Sequence, residues 1–277
     1  MITINNLSFN YGKRKPVFHH LNLKLSAGNV YGLLGKNGAG KSSLLRNMAG
    51  LLFPSEGTCT VNGYNAQERL PSFLQEMYFL PEEFYTPPVK IKDFVKTYSP
   101  FYPNFSLKQF LEYLEEFQIS ENEKFTELSL GQKKKALIGF GLATNTKVLI
   151  MDEPTNGLDI PSKSQFRKII ASVATDERII VISTHQVRDL DSLIDPIIIL
   201  DGSEVLLHAT TEEISEKLSF KTVSVVTDHE KVLYSEHSIR GFSVVMPNSG
   251  HENNKVDLEL LFNAALTNRQ AIKDIFQ

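Results

Sequence analysis

A glycine-rich loop between an apolar run and a helix-compatible stretch constrains this chain more than any other feature. The loop reads Gly35-Lys36-Asn37-Gly38-Ala39-Gly40-Lys41-Ser42 and fits the pattern G-x-x-x-x-G-K-[ST]. Glycines let backbone N–H groups converge on phosphate oxygens, because no Cβ stands in the way. Lys41 supplies a positive charge for terminal phosphates, and the Ser42 hydroxyl suits Mg²⁺. This phosphate loop (35–42) therefore predicts a nucleoside polyphosphate site formed by Asn37, Gly38, Ala39, Gly40, Lys41, Ser42 and Ser43.

The segments on both sides of the phosphate loop support this prediction. Val30–Leu34 is a short apolar run typical of a buried strand. Lys41–Leu52 is compatible with a helix and is stopped by Phe53-Pro54. A helix that begins at the loop points the positive end of its dipole at a bound anion.

A second apolar run ends in two carboxylates. Val148–Met151 is followed directly by Asp152 and Glu153. In open α/β sheets, ligands bind outside the carboxyl ends of the strands. Asp152 is then placed to hold the hydration shell of Mg²⁺, and Glu153 to act as general base on an attacking water. Solvated acids at a strand end are common in α/β proteins, so this interpretation depends on the phosphate loop.

The apolar patterns predict an α/β fold with a P-loop NTPase core. Alternation over residues 2–9 and 21–25 indicates an N-terminal antiparallel β subdomain. Continuous β-branched runs separated by helices are typical of a mostly parallel sheet. The remaining predicted elements are a strand at Thr58–Val61, a helix at Leu130–Thr144, a helix at Pro161–Ala174, a strand at Arg178–Ser183, and a hairpin formed by Ile197–Leu200 and Glu204–His208.

The amino-acid composition of the chain changes at residue 84. Seven aromatic residues and four prolines lie within residues 84–105, and apolar residues then recur at helical spacing over 107–117. We interpret residues 84–145 as an inserted helical subdomain. The prolines break regular structure, so we expect some of the aromatic rings to remain exposed as a contact surface.

Composition limits the class of protein and its partners. The chain has 277 residues and a formal net charge of −3, so we expect no nucleic-acid partner. No apolar run approaches the roughly 20 residues of a membrane span. The N-terminus lacks the pattern of a signal peptide, and Cys59 as the only cysteine excludes an intramolecular disulfide. These features predict a protein of the reducing cytosol.

Taken in order, the motifs resemble those of the ATP-binding cassette (ABC) family. Leu128–Gln132 reads Leu-Ser-Leu-Gly-Gln and is similar to the family signature Leu-Ser-Gly-Gly-Gln. Asn156–Asp159 resembles the D-loop, and His185 resembles the switch histidine. Tyr11 matches the aromatic residue that stacks on adenine. The resemblance covers residues 1–210 and is closest to cassettes of bacterial ABC-2-type exporters.

The resemblance implies a function that the residues alone do not show. ABC cassettes dimerise head to tail, and each ATP lies between the phosphate loop of one subunit and the signature of the other. Ser129, Gly131, Gln132 and Asp159 would then complete the site across the dimer. His185 would sense the γ-phosphate beside the base Glu153. The cofactors would be ATP and Mg²⁺. The dimer would lie at the cytoplasmic face of the cell membrane and drive a separate transmembrane permease.

Several of these residues also have ordinary structural explanations. Ser129 and Gln132 form a capping-box pattern, which satisfies N–H groups at a helix start. The run Lys133–Lys135 is either a solvated basic face or is balanced by a phosphate from a partner. A lone histidine is more often structural than catalytic, and Tyr11 could be a half-buried strand residue.

Two positions depart from the family pattern. Leu130 replaces the first glycine of the signature, while the serine and second glycine remain. Glu82, in Phe79-Leu80-Pro81-Glu82, takes the place of the usual Q-loop glutamine. A carboxylate ligates Mg²⁺ at least as well as an amide does, so we expect Glu82 to join Ser42 and Asp152 at the metal and to steepen Mg²⁺ dependence.

In this family the aromatic region receives a cytosolic helix of the membrane partner, and we expect that contact near residues 84–105. The predicted lining of this contact is Phe84, Tyr85 and part of 98–105.

The competing function is a soluble ABC ATPase acting on a ribosome, nucleic acid or a cofactor-assembly complex.

We divide the chain into a nucleotide-binding domain (1–218) and a small C-terminal α/β extension (219–277). The extension is predicted to have strands at Thr222–Thr227 and Phe242–Met246 and a final helix at Leu258–Phe276.

Overall fold

The computed structural model describes residues 1–12, 16–225, 231–248 and 255–276. The strands β1 to β13 in these ranges are Ile2–Phe9, Phe18–Leu25, Asn29–Leu34, Glu56–Val61, Tyr64–Asn65, Met77–Leu80, Val148–Asp152, Ile179–Thr184, Ile197–Asp201, Glu204–Ala209, Leu218–Val223, Tyr234–Ser238 and Gly241–Pro247. The helices α1 to α9 are Lys41–Met48, Pro71–Gln75, Ile91–Tyr98, Leu107–Glu116, Leu130–Ala143, Ile160–Val173, Thr211–Lys217, Leu258–Thr267 and Arg269–Phe276.

The described strands form three sheets, a central one and two antiparallel ones beside it. The central sheet has the order β10-β9-β3-β8-β7-β6, in which only β10 runs antiparallel to its neighbour. The N-terminal sheet β2-β1-β4-β5 and the C-terminal sheet β11-β13-β12 are antiparallel. The predicted α/β fold, with its mostly parallel core sheet and N-terminal antiparallel subdomain, is therefore confirmed.

Both faces of the central sheet are covered, which explains its continuous apolar strands. In β8, Ile179 and Val181 pack in the core shared with the N-terminal sheet and α1. Ile180 and Ile182 point to the opposite side, into the core shared with the helical subdomain and the C-terminal helices. Because successive side chains alternate between faces, a strand buried on both sides has no solvent-facing positions.

An aromatic cluster holds the helical subdomain to the sheet. Phe140 in α5 is buried, and its ring lies 5.1 to 6.2 Å from five other rings. Tyr78 comes from the edge strand β6, and the others come from the helical subdomain: Phe94, Tyr102, Phe105 and Phe110. Part of the aromatic region is thus internal core.

Two predicted helices have the wrong bounds. Helix α1 ends at Met48 and does not extend to Leu52, because Gly50 takes a positive φ of 64° that ends the helical path. The predicted final helix is two helices, α8 and α9, separated at Asn268, whose φ and ψ of −119° and 58° are not helical. Strand β2 begins at Phe18, three residues before the predicted alternation at 21–25, and the remaining predicted bounds outside the C-terminal extension differ by no more than two residues.

In the C-terminal extension the first predicted strand is displaced. It was expected at Thr222–Thr227 and is observed at Leu218–Val223, and Thr227 lies outside the described residues. Helices α2, α3 and α7 and strands β5 and β12 were not individually predicted, since they are short and depend on tertiary packing. Along the described ranges, no helix is both long and apolar enough to cross a bilayer.

Candidate functional site

The phosphate loop joins β3 to α1 at the carboxyl edge of the central sheet. Gly38 and Gly40 have φ values of +82° and +100°, which side chains rarely adopt. Gly40 immediately precedes α1, so the loop turns directly into the helix N-terminus. The N–H groups of such a turn and the helix dipole together favour an anion.

Lys41 is a buried cation at the centre of the site. Its Nζ donates to the carbonyl oxygen of Gly35 at 2.7 Å and lies 3.5 Å from Oε1 of Glu153. The phosphate-loop lysine and the proposed base are therefore neighbours. The chain brings both to the position where terminal phosphates would lie.

Tyr11 stands beside the phosphate loop. Its hydroxyl lies 3.0 Å from Oγ of Ser43, and its ring packs edge-on against Phe9 at 4.9 Å. The ring is partly exposed. This placement agrees with adenine stacking, which stays a prediction.

Asp152, the last residue of β7, has the features of a residue that faces a metal ion. It is 1% exposed, and its Oδ1 accepts a 2.5 Å hydrogen bond from Oγ of Ser183. Its Oδ2 is buried and has no hydrogen-bond partner. An orphaned carboxylate oxygen is costly to bury. Together with the hydroxyl of Ser42, this hard oxygen donor fits Mg²⁺.

Glu153 follows with an unusual backbone conformation. Its φ is +47°, and its N–H donates to Oγ of Ser183 at 3.0 Å. Its Oε1 lies 2.8 Å from Nδ1 of His185, which follows β8. A carboxylate held between an imidazole and Lys41 can accept a proton from water, and its contact with His185 can fix its orientation.

Glu82 lies in the loop after β6 and is exposed. Its Oε1 accepts a hydrogen bond from Nδ2 of Asn156 at 3.2 Å, which ties this loop to the D-loop segment (156–159). Ligation of Mg²⁺ by Glu82 stays a prediction.

The signature segment (128–132) begins α5 with the expected capping box. Oγ of Ser129 accepts from the N–H of Gln132 at 3.2 Å, and Oε1 of Gln132 accepts from the N–H of Ser129 at 2.9 Å. Leu130 is 65% exposed, so this departure from the family pattern presents an apolar side chain at the surface. A Cβ at Gly131 would come within 3.1 Å of the Gly157 carbonyl oxygen, so the signature segment packs closely on the D-loop segment.

Asp159 caps α6. Its Oδ1 accepts from the N–H of Ser162 at 3.0 Å. Hydrogen bonds from Ser162 hold the pKa of the Asp159 carboxyl below its usual value. Within this chain Asp159 therefore has a structural role, and its part in binding nucleotide stays a prediction.

Comparison with known proteins decides the family. The sequence pattern of the family described as "ABC transporter" matches residues 18–156, which is half of the chain. This chain belongs to the ABC transporter family. It is an ATP-binding ATPase, and its nucleotide chemistry uses ATP with Mg²⁺.

Individual relatives agree with this assignment. The chain is 29% identical over 226 residues to the ABC transporter ATP-binding protein NatA of Bacillus subtilis, covering 78% of this chain and 92% of NatA. It is 25% identical over 253 residues to YtrB of the same organism, covering 88% and 86%. A dimeric ATP-binding cassette bound to ADP and Pi shares the fold, with a TM-score of 0.68, 22% identity and coverage of 76% and 98%.

Within the lysine run of this ABC ATPase, Lys134 differs from both expectations. Lys134 is 3% exposed, so it is neither on a solvated face nor free to meet a partner's phosphate. Its Nζ donates to the carbonyl oxygens of Glu153 at 3.1 Å and Asn156 at 2.8 Å. Lys135 donates to Oγ of Ser162 at 3.3 Å. Helical geometry turns successive residues by about 100°, so a run of like charges need not share a face.

Sequence reasoning assigned no individual role in the site to Ser183, Asn156 or Lys134. Ser183 contacts Asp152 through its side chain and lies opposite it in the parallel pair β7–β8. The sequence signal that could have identified Ser183 is a polar residue near the end of one apolar strand, opposite the carboxylate that ends the neighbouring strand. The roles of Asn156 and Lys134 come from tertiary contacts.

An apolar groove of about 610 Å³ lies between the sheet and the helical subdomain. Phe101, which is 64% exposed, and Tyr98 and Tyr102 line its helical side. Its other lining residues are Ala49, Leu51, Arg69, Pro71, Leu74, Gln75, Met77 and Phe79. Phe84 packs against the core and Tyr85 is 82% exposed, and neither is among the residues that line this groove.

Proposed function

We propose that this chain is the ATP-hydrolysing subunit of an ABC-2-type exporter, at the cytoplasmic face of the cell membrane. It works as a head-to-tail dimer with a second copy or a homologous cassette. A separate transmembrane permease docks in the apolar groove. The groove carries the proposal, because exposed aromatic rings beside a concave apolar surface favour a protein contact.

The chemistry follows from the side chains of the site. Lys41 and the phosphate loop would hold the phosphates of ATP, and Ser42 and Asp152 would hold Mg²⁺, which would neutralise phosphate charge. Glu153 accepts a proton from the attacking water. The water oxygen bonds to the γ-phosphorus while the bond to the bridging oxygen breaks, which leaves ADP and phosphate. His185 orients Glu153 through its 2.8 Å contact.

The dimer proposal is supported by exposed groups around the signature and D-loop segments. Leu130 and Ile160 are both exposed, and Ile160 follows Asp159 directly. Gly131, next to Leu130, packs closely on Gly157, three residues before Ile160, so the two segments that carry these apolar side chains are in contact. Apolar groups on one surface favour association with a second cassette.

We also propose a functional division at residue 218. Residues 1–218 hold the nucleotide-binding and groove residues, and residues 219–277 form a C-terminal extension. The helix α8 of this extension contributes Leu258 and Leu261 to the core behind the sheet. The extension therefore stabilises the nucleotide-binding domain.

Purification with the native partner tests the proposal. The tagged chain is expressed at its native level, membranes are solubilised in mild detergent, and the associated proteins are identified. A stoichiometric polytopic membrane protein is the expected result. Recovery from the cytosol alone, with ribosomes, nucleic acid or a soluble assembly complex, would support the competing non-transport function.

Matched variants locate the docking surface. Phe101→Ser should release the membrane partner while ATP binding is retained, because Phe101 lies in the groove and not in the nucleotide site. Tyr85→Ser removes an equally exposed ring outside the groove and should leave the complex intact. Loss of the partner from Tyr85→Ser alone would place the contact elsewhere.

A further inference from the structure

Lys134 is a buried cation to which the reaction described above assigns no task. Few charged side chains of the described ranges are less than a tenth exposed, and they are Lys41, Lys134, Asp152, Glu153 and Arg178. Three of them form the nucleotide site. Lys134 lies directly behind that site, on the second turn of α5.

Both hydrogen bonds of the Lys134 ammonium group are donated to backbone carbonyl oxygens of the segment that contains Glu153, the proposed base. Its Nζ donates to the carbonyl oxygen of Glu153 at 3.1 Å and to that of Asn156 at 2.8 Å. These two carbonyls bracket the turn that connects β7 to the D-loop segment. The ammonium group therefore clamps the turn at both of its ends.

The clamped turn needs support, because Glu153 has a φ of +47°. A residue with a side chain holds such a backbone only where its surroundings over-determine it. On one side, Ser183 accepts the N–H of Glu153. On the other side, Lys134 binds its carbonyl oxygen, so the peptide units flanking the Glu153 Cα are both fixed.

The charges around Lys134 are consistent with this position. Burial lowers the pKa of the Lys134 ammonium, and the nearby carboxylates of Glu82, Glu153 and Asp152 act in the opposite direction. The three acids of the site thus help to keep a cation beneath them. The cation in turn reduces their mutual repulsion.

The start of α5 contacts the same turn a second time. A Cβ at Gly131 would meet the Gly157 carbonyl oxygen at 3.1 Å, and Leu158 is buried beside it. Helix α5 and the D-loop segment therefore pack as one unit. A side chain that donates from this helix has a rigid base from which to position the turn.

We propose that Lys134 is a positioning residue for hydrolysis, which holds the Glu153 peptide and the D-loop segment so that the carboxylate of Glu153 meets the attacking water. Lys134 contacts neither ATP nor water itself. The inference rests on the proposed role of Glu153, but not on a permease or on transport.

Steady-state ATP hydrolysis by the purified full chain tests the proposal. Lys134→Met keeps the apolar stem and removes the donor, so kcat should fall about tenfold or more while KM changes less than about threefold. Lys134→Gln keeps a neutral N–H₂ donor and should hydrolyse ATP about threefold faster than Lys134→Met. Lys168→Met removes the same charge from an exposed position and is the control.

Hydrogen exchange supplies a readout that does not require turnover. In Lys134→Met, amides of residues 152–158 should exchange faster, while those of the phosphate loop keep the wild-type rate. Faster exchange throughout the chain would indicate general destabilisation and would overturn the proposal. Unchanged kcat in Lys134→Met, or unchanged exchange over 152–158, would also overturn it. Loss of turnover in Lys134→Met with normal turnover in Glu153→Gln would overturn the base assignment instead.

Discussion

Replacing the proposed base with its amide is the most direct test of the site. Glu153→Gln keeps the size and shape of a buried side chain, so the packing around it is preserved. It removes the negative charge that lies 2.8 Å from Nδ1 of His185 and 3.5 Å from Nζ of Lys41. The bonds of the Glu153 N–H to Ser183 involve the backbone and remain.

The size of the effect follows from the lost proton acceptor. A positioned general base contributes about 10²- to 10⁴-fold in rate, which is about 3 to 6 kcal/mol at roughly 1.4 kcal/mol per tenfold. We therefore expect kcat to fall by that factor. Binding of ATP should be retained or strengthened, since Lys41 loses a competing carboxylate and is free to pair with phosphate.

The assay measures phosphate release, ATP affinity and oligomeric state on the same preparation. Glu153→Gln should bind ATP, release phosphate slowly and accumulate as an ATP-bound dimer. Glu112→Gln changes an exposed carboxylate on α4 and serves as the control. If kcat of Glu153→Gln lies within about threefold of the wild-type value, the base assignment is refuted, because so small a fall is incompatible with the loss of a general base.

Three further predictions follow from other parts of the chain. Phe140→Ala should lower the free energy of unfolding by about 3 to 5 kcal/mol in urea titrations, since a buried ring with five aromatic neighbours is removed; a loss below about 1 kcal/mol would contradict that packing. Burial raises the pKa of the Cys59 thiol to about 12, so iodoacetamide at pH 8 should modify the native chain far more slowly than the urea-unfolded chain; equal rates would mean that β4 is open. Glu82→Gln should make the rate of ATP hydrolysis less steeply dependent on Mg²⁺, and an unchanged Mg²⁺ titration would remove Glu82 from the metal site.

Local sequence was sufficient where neighbouring residues specify the backbone. The phosphate loop, its strand and its helix start were predicted at the correct positions, because glycine placement and apolar runs act within a few residues. The capping box of Ser129 and Gln132 was also predicted and is formed as expected. The predicted helix was longer than α1, because an apolar pattern does not show that Gly50 adopts a positive φ.

Long-range contacts decided the features that the sequence left open. Lys134 lies between two other lysines, and charge patterning left open a solvated basic face or balance by a partner's phosphate. The structure buries it against the Glu153 and Asn156 carbonyls, which are 19 and 22 residues away. The aromatic region was similarly divided by packing, since Phe105 faces Phe140 while Tyr85 faces solvent.

The sequence by itself therefore determined the class of fold and the chemistry of the phosphate loop and the acidic strand end. These depend on residue types at fixed short spacings, which act through local backbone geometry. Only the tertiary structure decided which groups meet across strands and helices: Ser183 with Asp152, Asn156 with Glu82, and Lys134 with the turn at Glu153. Such contacts depend on how strands pair and helices pack over long separations, and a one-dimensional pattern does not encode that register locally.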